Sequence, residues 1–160
     1  MNAENNAVQS PSKRAVKLSN LAQSLPGADA LALRLAAGSV FVGHGAQKLF
    51  GAFGGYGLEG TAGWMESIGL APGLLMALAA GGAEFLGGLL LIIGLMVRPA
   101  AAVLAITMLV AILAVHWEHG FFMANNGYEF GMVLFAVSIA LALRGAGSTS
   151  ADNALARKLD

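Results

Sequence analysis

Four apolar stretches, separated by polar or glycine-rich segments, set the pattern of this 160-residue chain. They cover about residues 30–50, 73–97, 100–115 and 128–143. The second stretch is about 25 residues long, and at about 1.5 Å per helical residue it would cross the roughly 30 Å hydrocarbon core of a bilayer. The pattern predicts an all-α fold, an integral membrane four-helix bundle with one span per stretch.

The second stretch carries one ionisable side chain, Glu84. Ala77, Gly81, Glu84 and Gly88 follow one another in steps of four, three and four residues, so they share one helical face. Small residues on such a face let another helix approach closely. A charged carboxylate facing lipid at this depth costs at least a few kcal/mol. We therefore expect Glu84 to face other helices.

The first stretch supplies the candidate partners of Glu84. One of its faces carries two cations among small and aromatic residues: Arg34, Gly38, Phe41, Gly45 and Lys48. Counting helical rise from the ends of the stretches places Arg34 and His44 within about 8 Å of Glu84 along the bundle axis. Lys48 is a third candidate, and the alternative for both Arg34 and Lys48 is snorkelling to the two interfaces. The sequence does not choose among Arg34, His44 and Lys48.

The connection at residues 51–72 is glycine-rich at first and has no helical period before Thr61. Thr61–Gly69 is predicted to form one short helix, with Trp64 suited to the headgroup layer. We expect this connection to be a re-entrant or interfacial segment. Arg98-Pro99 is predicted to end the second span with a tight turn.

Residues 1–28 form a polar tail, residues 29–144 the membrane domain, and residues 145–160 a second polar tail. The first tail lacks the apolar core of a cleavable signal peptide. It has only a weak apolar face, which is compatible with a solvated tail or a short interfacial helix: Val16, Leu18, Leu21 and Leu25. The second tail is predicted to carry a surface helix at Asp152–Leu159.

Composition and charge agree with a membrane setting. Hydrophobic residues make up 57% of the chain and charged residues 11%, whereas soluble domains have about 25% charged residues. One side of the predicted membrane holds almost all basic residues: Lys13, Arg14, Lys17, Arg98, Arg144, Arg157 and Lys158. Lys48 stands alone on the other side. The positive-inside rule then predicts cytoplasmic N- and C-termini in a multi-pass protein of the plasma (inner) membrane.

The same numbers exclude some chemistry. The formal net charge is zero, which gives no argument for a nucleic-acid partner, and there are no cysteines to form disulfides or bind iron–sulfur clusters. His116 and His119 are three residues apart beside Glu118, but this is not the HExxH order of metalloproteases. Histidines near an interface are more often hydrogen-bonded or exposed. We therefore expect neither a metal site nor haem.

An ordered set of short motifs resembles the DoxX family of small bacterial membrane proteins. The motifs are His44-Gly45-x-Gln47-Lys48-Leu49-Phe50, Gly57-Leu58-Glu59-Gly60-Thr61, Gly69-Leu70-Ala71-Pro72, Ala83-Glu84-x-x-Gly87-Gly88 and Asn126-Gly127-Tyr128-Glu129. The resemblance runs from about Leu31 to Leu143 and leaves the polar N-terminal tail outside. It implies a four-helix protein of the plasma membrane, from a family linked to terminal quinol oxidase and to thiosulfate:quinone oxidoreductase.

The resemblance also implies a polar site made of His44, Gln47, Lys48, Glu84 and Glu129. A quinone head needs a hydrogen-bond donor and a proton acceptor beside apolar room for its tail. Our first hypothesis is a subunit of a quinone-linked membrane oxidoreductase. In it, Glu84 moves protons and His44 or Lys48 orients the quinone carbonyl, as the catalytic candidates. Gln47, His116 and Glu129 are the candidates for holding the cofactor or substrate.

The chain offers no evident electron carrier, so this hypothesis requires a partner membrane or redox protein in the lipid bilayer. The alternative is a protein without enzymatic activity: a membrane anchor, an assembly subunit or a small-molecule carrier. Four spans with small-residue faces suit such helix association. The sequence leaves open whether the chain is itself an enzyme.

Overall fold

The apolar stretches form long helices in the computed structural model, which describes residues 28–159. Six α-helices follow one another in this range: α1 Ala28–Phe50, α2 Gly57–Ser67, α3 Gly73–Ile93, α4 Val97–Ala111, α5 Glu129–Arg144 and α6 Ala151–Leu159. All regular structure in the described range is helical, which confirms the all-α prediction there. The weak apolar face at Val16–Leu25 lies outside the described residues.

The turn between α3 and α4 differs from the prediction. α3 ends at Ile93 instead of continuing to Val97, because Gly94 takes a left-handed conformation (φ 78°) that terminates a helix. Arg98 and Pro99 lie in the first turn of α4, where proline is tolerated because no backbone donor is needed. At its other end α4 continues through a π-helical turn, Ile112–His116, and a 3-10 turn, Trp117–His119.

α2 begins at Gly57, four residues before the predicted start at Thr61. Glycines weaken a helix in isolation, so its first turn depends on tertiary contacts. Thr61 and Met65 are buried on its inner side, and the Thr61 hydroxyl donates to the carbonyl oxygen of Lys48 at 3.3 Å. The predicted helix exists, but packing against α1 extends it into the glycine-rich segment.

α1 and α3 pack with their backbones in close approach. A Cβ atom added at Gly88 would lie 2.8 Å from both the Gly38 carbonyl oxygen and the Val42 backbone nitrogen. A Cβ atom added at Gly45 would lie 2.7 Å from the Phe85 Cα atom. Only glycine permits backbones to come this close, so the small-residue faces read from the sequence are the faces in contact.

α4 pairs with α5, and contacts between α3 and α4 join this pair to the pair formed by α1 and α3. The main apolar cluster between the helices is formed by buried side chains of α1, α3, α4 and α5: Ala37, Phe41, Leu91, Val97, Ala100, Ala101, Leu104, Met108, Leu134 and Leu141. Two helical segments, Gly73–Ile93 and Val97–His119, are long and apolar enough to cross a membrane. α1 is more polar, and α5 has only 16 residues.

Arg34 closes one end of the helix assembly. Its guanidinium is 1% exposed and donates to the carbonyl oxygens of Leu91 (2.8 Å) and Ile92 (3.2 Å) in the last turn of α3. It also donates to Ala146 and Thr149 in the C-terminal tail. Arg34 therefore neither snorkels nor pairs with Glu84. In the last turn of α3 it donates hydrogen bonds to carbonyl oxygens that have no partner within the helix, and its charge is favourable at this negative end of the helix dipole.

We predict that Gly88→Ala destabilises the protein by about 1–3 kcal/mol, because the new methyl group collides with backbone atoms that cannot move aside. The matched control is Gly82→Ala in the same helix, where an added Cβ meets nothing within 4 Å. The free energy of unfolding in detergent, followed by circular dichroism, measures both. Equal stability of the two variants would contradict the close approach of α1 and α3.

Candidate functional site

The site begins with an ion pair between α1 and α3. Lys48 Nζ lies 2.6 Å from Glu84 Oε2, and the side chains are 24% and 4% exposed, respectively. Glu84 thus faces other helices, as its small-residue face predicts. Of the three possible partners, the structure selects Lys48.

Local packing explains why Lys48 reaches Glu84. Gly81 lies one turn before Glu84, and a Cβ atom added there would be 3.2 Å from Lys48 Cβ and 2.8 Å from Leu49 Cδ2. The last turn of α1 therefore lies directly on α3. Thr61 holds this turn from the other side through its hydrogen bond to the Lys48 carbonyl oxygen. The lysine stem is enclosed, and its ammonium group is directed to the buried carboxylate.

A cavity of about 380 Å³ adjoins the ion pair, between α2, α3 and α4. Its walls are mostly apolar and include Trp64, Met65 and Met76. Val103, Ile106 and Val110 line it from α4 and are 47–64% exposed. The cavity is therefore bounded by residues of the apolar exterior on one side and by Lys48 and Glu84 on another.

His116 is the third ionisable residue of the cavity wall. Its Nδ1 atom lies 2.8 Å from the carbonyl oxygen of Asn126. A carbonyl oxygen only accepts, so Nδ1 carries the proton and Nε2 keeps a lone pair when the ring is neutral. The π-helical turn that contains His116 changes the direction of its side chain relative to a regular helix.

Three other predicted site residues lie away from the cavity wall. His44 is exposed, and its ring centroid is 6.5 Å from that of Phe130 on α5. The Gln47 amide donates to the Phe53 carbonyl oxygen at 3.5 Å. Glu129 accepts from the backbone N–H of Met123 at 2.6 Å and so fixes the loop before α5. The structure thus brings together Lys48, Glu84 and His116.

Other residues of the cavity wall were not among the candidates. Trp64, Met65 and Met76 come from α2 and the start of α3, and Thr107 comes from the middle of α4. Thr107 is the only polar residue inside its apolar stretch, a signal that could have pointed to it. Within residues 28–159, no three His, Asp or Glu side chains are grouped so that they could hold a metal ion.

Comparisons with known proteins identify the family of this chain. The family model described as "DoxX" matches residues 30–117. The chain is also similar to "Putative oxidoreductase CatD" of Bacillus subtilis (strain 168), with 35% identity over 122 residues, or 76% of this chain and 83% of the relative. No solved structure matches the chain. The match over more than half of its length shows that this chain belongs to the DoxX family, which is membrane-associated.

Proposed function

We propose that this DoxX protein is a four-span subunit of a quinone-linked redox complex in the plasma membrane. In this proposal α1, α3, α4 with its extension, and α5 cross the bilayer, and both termini lie in the cytoplasm. The cavity beside Lys48 and Glu84 holds the head of a quinone. The cavity is the observation that carries the proposal, because it combines apolar walls, a lipid-side boundary and a charged pair.

The membrane placement is supported by the outer surface. Leu86, Ile106 and Leu113 are each about 60% exposed without a covering element in the described part of the chain. Such a surface is unfavourable in water and favourable in hydrocarbon. Exposed aromatic side chains, among them Trp117 and Phe122, gather near the end of the α4 extension, as expected at a membrane–water interface.

The cavity suits a lipophilic ligand of moderate size. Its volume falls in the usual range for small-molecule sites, about 300–1,000 Å³. The exposed α4 residues on its boundary give a path from the acyl chains, so a ligand with an isoprenoid tail could enter sideways and leave its tail in lipid. A water-soluble ligand would gain nothing from such an entrance.

The polar groups suit a quinone head. Quinone reduction takes up two electrons and two protons. Lys48 is placed to donate a hydrogen bond to a carbonyl oxygen, and Glu84 is placed to receive or return a proton through Lys48. The His116 Nε2 atom offers a second position for proton exchange. Electrons come from a partner redox protein, and the name of the Bacillus relative supports the oxidoreductase class.

The buried ion pair also makes the protein sensitive to the loss of either charge. Removing one partner of a buried pair leaves an uncompensated charge, whereas replacing both with apolar groups is often neutral. An apolar contact could therefore replace this pair without loss of stability. A role of the two charges in binding or proton transfer explains why the protein has an ion pair here instead. Intramembrane ionisable residues are, for the same reason, functional by default.

Ligand binding can be followed with Trp64, since the chain has two tryptophans and Trp117→Phe leaves Trp64 as the single reporter in the cavity wall. We predict that decylubiquinone quenches Trp64 fluorescence in the purified W117F protein. Ala80→Phe in this background fills the cavity and should weaken binding at least about tenfold.

Ala102→Phe is the control, because Ala102 is exposed on α4 and does not line the cavity. Equal quenching in A80F and A102F would exclude this cavity as the quinone site.

We predict that Glu84→Gln abolishes quinone-dependent turnover of the purified complex while Trp64 quenching persists, because the amide keeps the shape of the side chain but cannot take up a proton. Turnover is measured with the native partner in detergent. His44→Gln, which changes an exposed histidine outside the cavity wall, is the control. Unchanged turnover in E84Q would remove Glu84 from the mechanism.

We predict that Lys48→Met lowers the free energy of unfolding by on the order of 3 kcal/mol, since Glu84 is left buried and unpaired. The double variant K48M/E84L should recover most of this loss. Exposed Glu118→Gln at the same end should change stability by less than about 0.5 kcal/mol. Additive losses in the double variant would show that the two side chains do not interact.

A further inference from the structure

The C-terminal tail is fastened to the end of the helix assembly that Arg34 closes. Arg34 Nη1 donates to the carbonyl oxygens of Ala146 (2.6 Å) and Thr149 (2.8 Å). The Asp152 carboxylate accepts from the backbone N–H groups of Met96 (2.8 Å) and Val97 (3.1 Å) at the start of α4. The Asp152 N–H donates to the Gly94 carbonyl oxygen at 2.9 Å. α6 is therefore held against the α3–α4 turn.

α6 exposes both apolar and basic side chains. Leu155 and Leu159 are one helical turn apart and are 51% and 88% exposed. Arg157 and Lys158 are exposed beside them in the last turn. An amphipathic helix with leucines and cations on its exposed surface is typical of helices that lie in the headgroup layer.

A surface cleft of about 290 Å³ lies next to α6, and two more cations, Arg98 and Arg144, line it. Arg144 is paired with Asp29 at 2.7 Å, and Asp152 is occupied by the two backbone N–H groups. Within residues 28–159, Arg98, Arg157 and Lys158 form no ion pair. Of the described residues at this end, Asp29 and Asp152 thus already have partners, and three exposed cations are left for an external anion.

We propose that α6, together with Arg98, forms a binding surface for the headgroups of anionic phospholipids in the inner leaflet. The inference rests on the membrane placement proposed above. The α3–α4 turn ends two helices long enough to cross a bilayer, so the helix fastened to it lies at headgroup level. Leucines enter the acyl boundary, and the cations meet lipid phosphates. Arg34 and Asp152 act as positioning residues for this surface.

The test uses the full chain in neutral detergent, titrated with dioctanoyl-phosphatidylglycerol or dioctanoyl-phosphatidylcholine, with bound lipids counted by native mass spectrometry. We expect a preference for phosphatidylglycerol. A basic residue near an anionic membrane contributes about a fivefold change in binding, so R98Q/R157Q/K158Q should reduce the preference by up to roughly 100-fold. The charge-preserving R98K/R157K variant should retain it.

Trp64 quenching by decylubiquinone should be unchanged in the triple variant, because the cavity lies at the other end of the helices. This measurement distinguishes a failure of the lipid-binding proposal from a failure of the quinone proposal. Equal binding of both lipids by the unmodified chain, or an unchanged preference in the triple variant, would overturn the proposal. Displacement of phosphatidylglycerol by equal concentrations of inorganic phosphate would also overturn it, since the surface would then be a general anion site.

Discussion

The Lys48–Glu84 ion pair determines how α1, α2 and α3 pack together. A charged carboxylate that is 4% exposed in the middle of an apolar helix is stabilised by a cation within hydrogen-bonding distance. Lys48 can supply it only if the last turn of α1 lies directly on α3. Glycines at 38, 45, 81 and 88 allow that approach, and Thr61 secures the turn from α2. The pair therefore fixes α1, α2 and α3 around one point.

The two ends of the helix assembly use their buried charges differently. Arg34 donates to four backbone carbonyl oxygens and holds the C-terminal tail, so its end is closed and structural. Lys48 has a single carboxylate partner and adjoins a cavity, so its ammonium group keeps donors for a ligand. This difference in available hydrogen-bond donors, more than burial itself, distinguishes a binding site from a purely structural contact.

Much of this arrangement follows from the sequence. The steps Ala77–Gly81–Glu84–Gly88 and Arg34–Gly38–Phe41–Gly45–Lys48 identify the faces that meet, and all but Lys48 are buried. The partner of Glu84 does not follow, because counting helical rise places several cations at similar depth. His44 is excluded because its side chain does not lie on the face of α1 that packs on α3. Arg34 is excluded because the relative shift of α1 along α3 places it beside Leu91, two helical turns from Glu84. The cavity does not follow from the sequence either, because part of its wall comes from α2, and tertiary contacts set the position of that helix.

Photolabelling can locate a quinone bound to this protein. An azidoquinone is bound to the purified protein, activated by light, and located by mass spectrometry of the labelled peptides. If the quinone head binds beside Lys48 and Glu84, we expect labels within residues 76–84 and 103–116, which contribute most of the cavity wall, and we expect excess decylubiquinone to abolish them. Labels confined to α5 or α6, or labelling that decylubiquinone does not reduce, would contradict this placement.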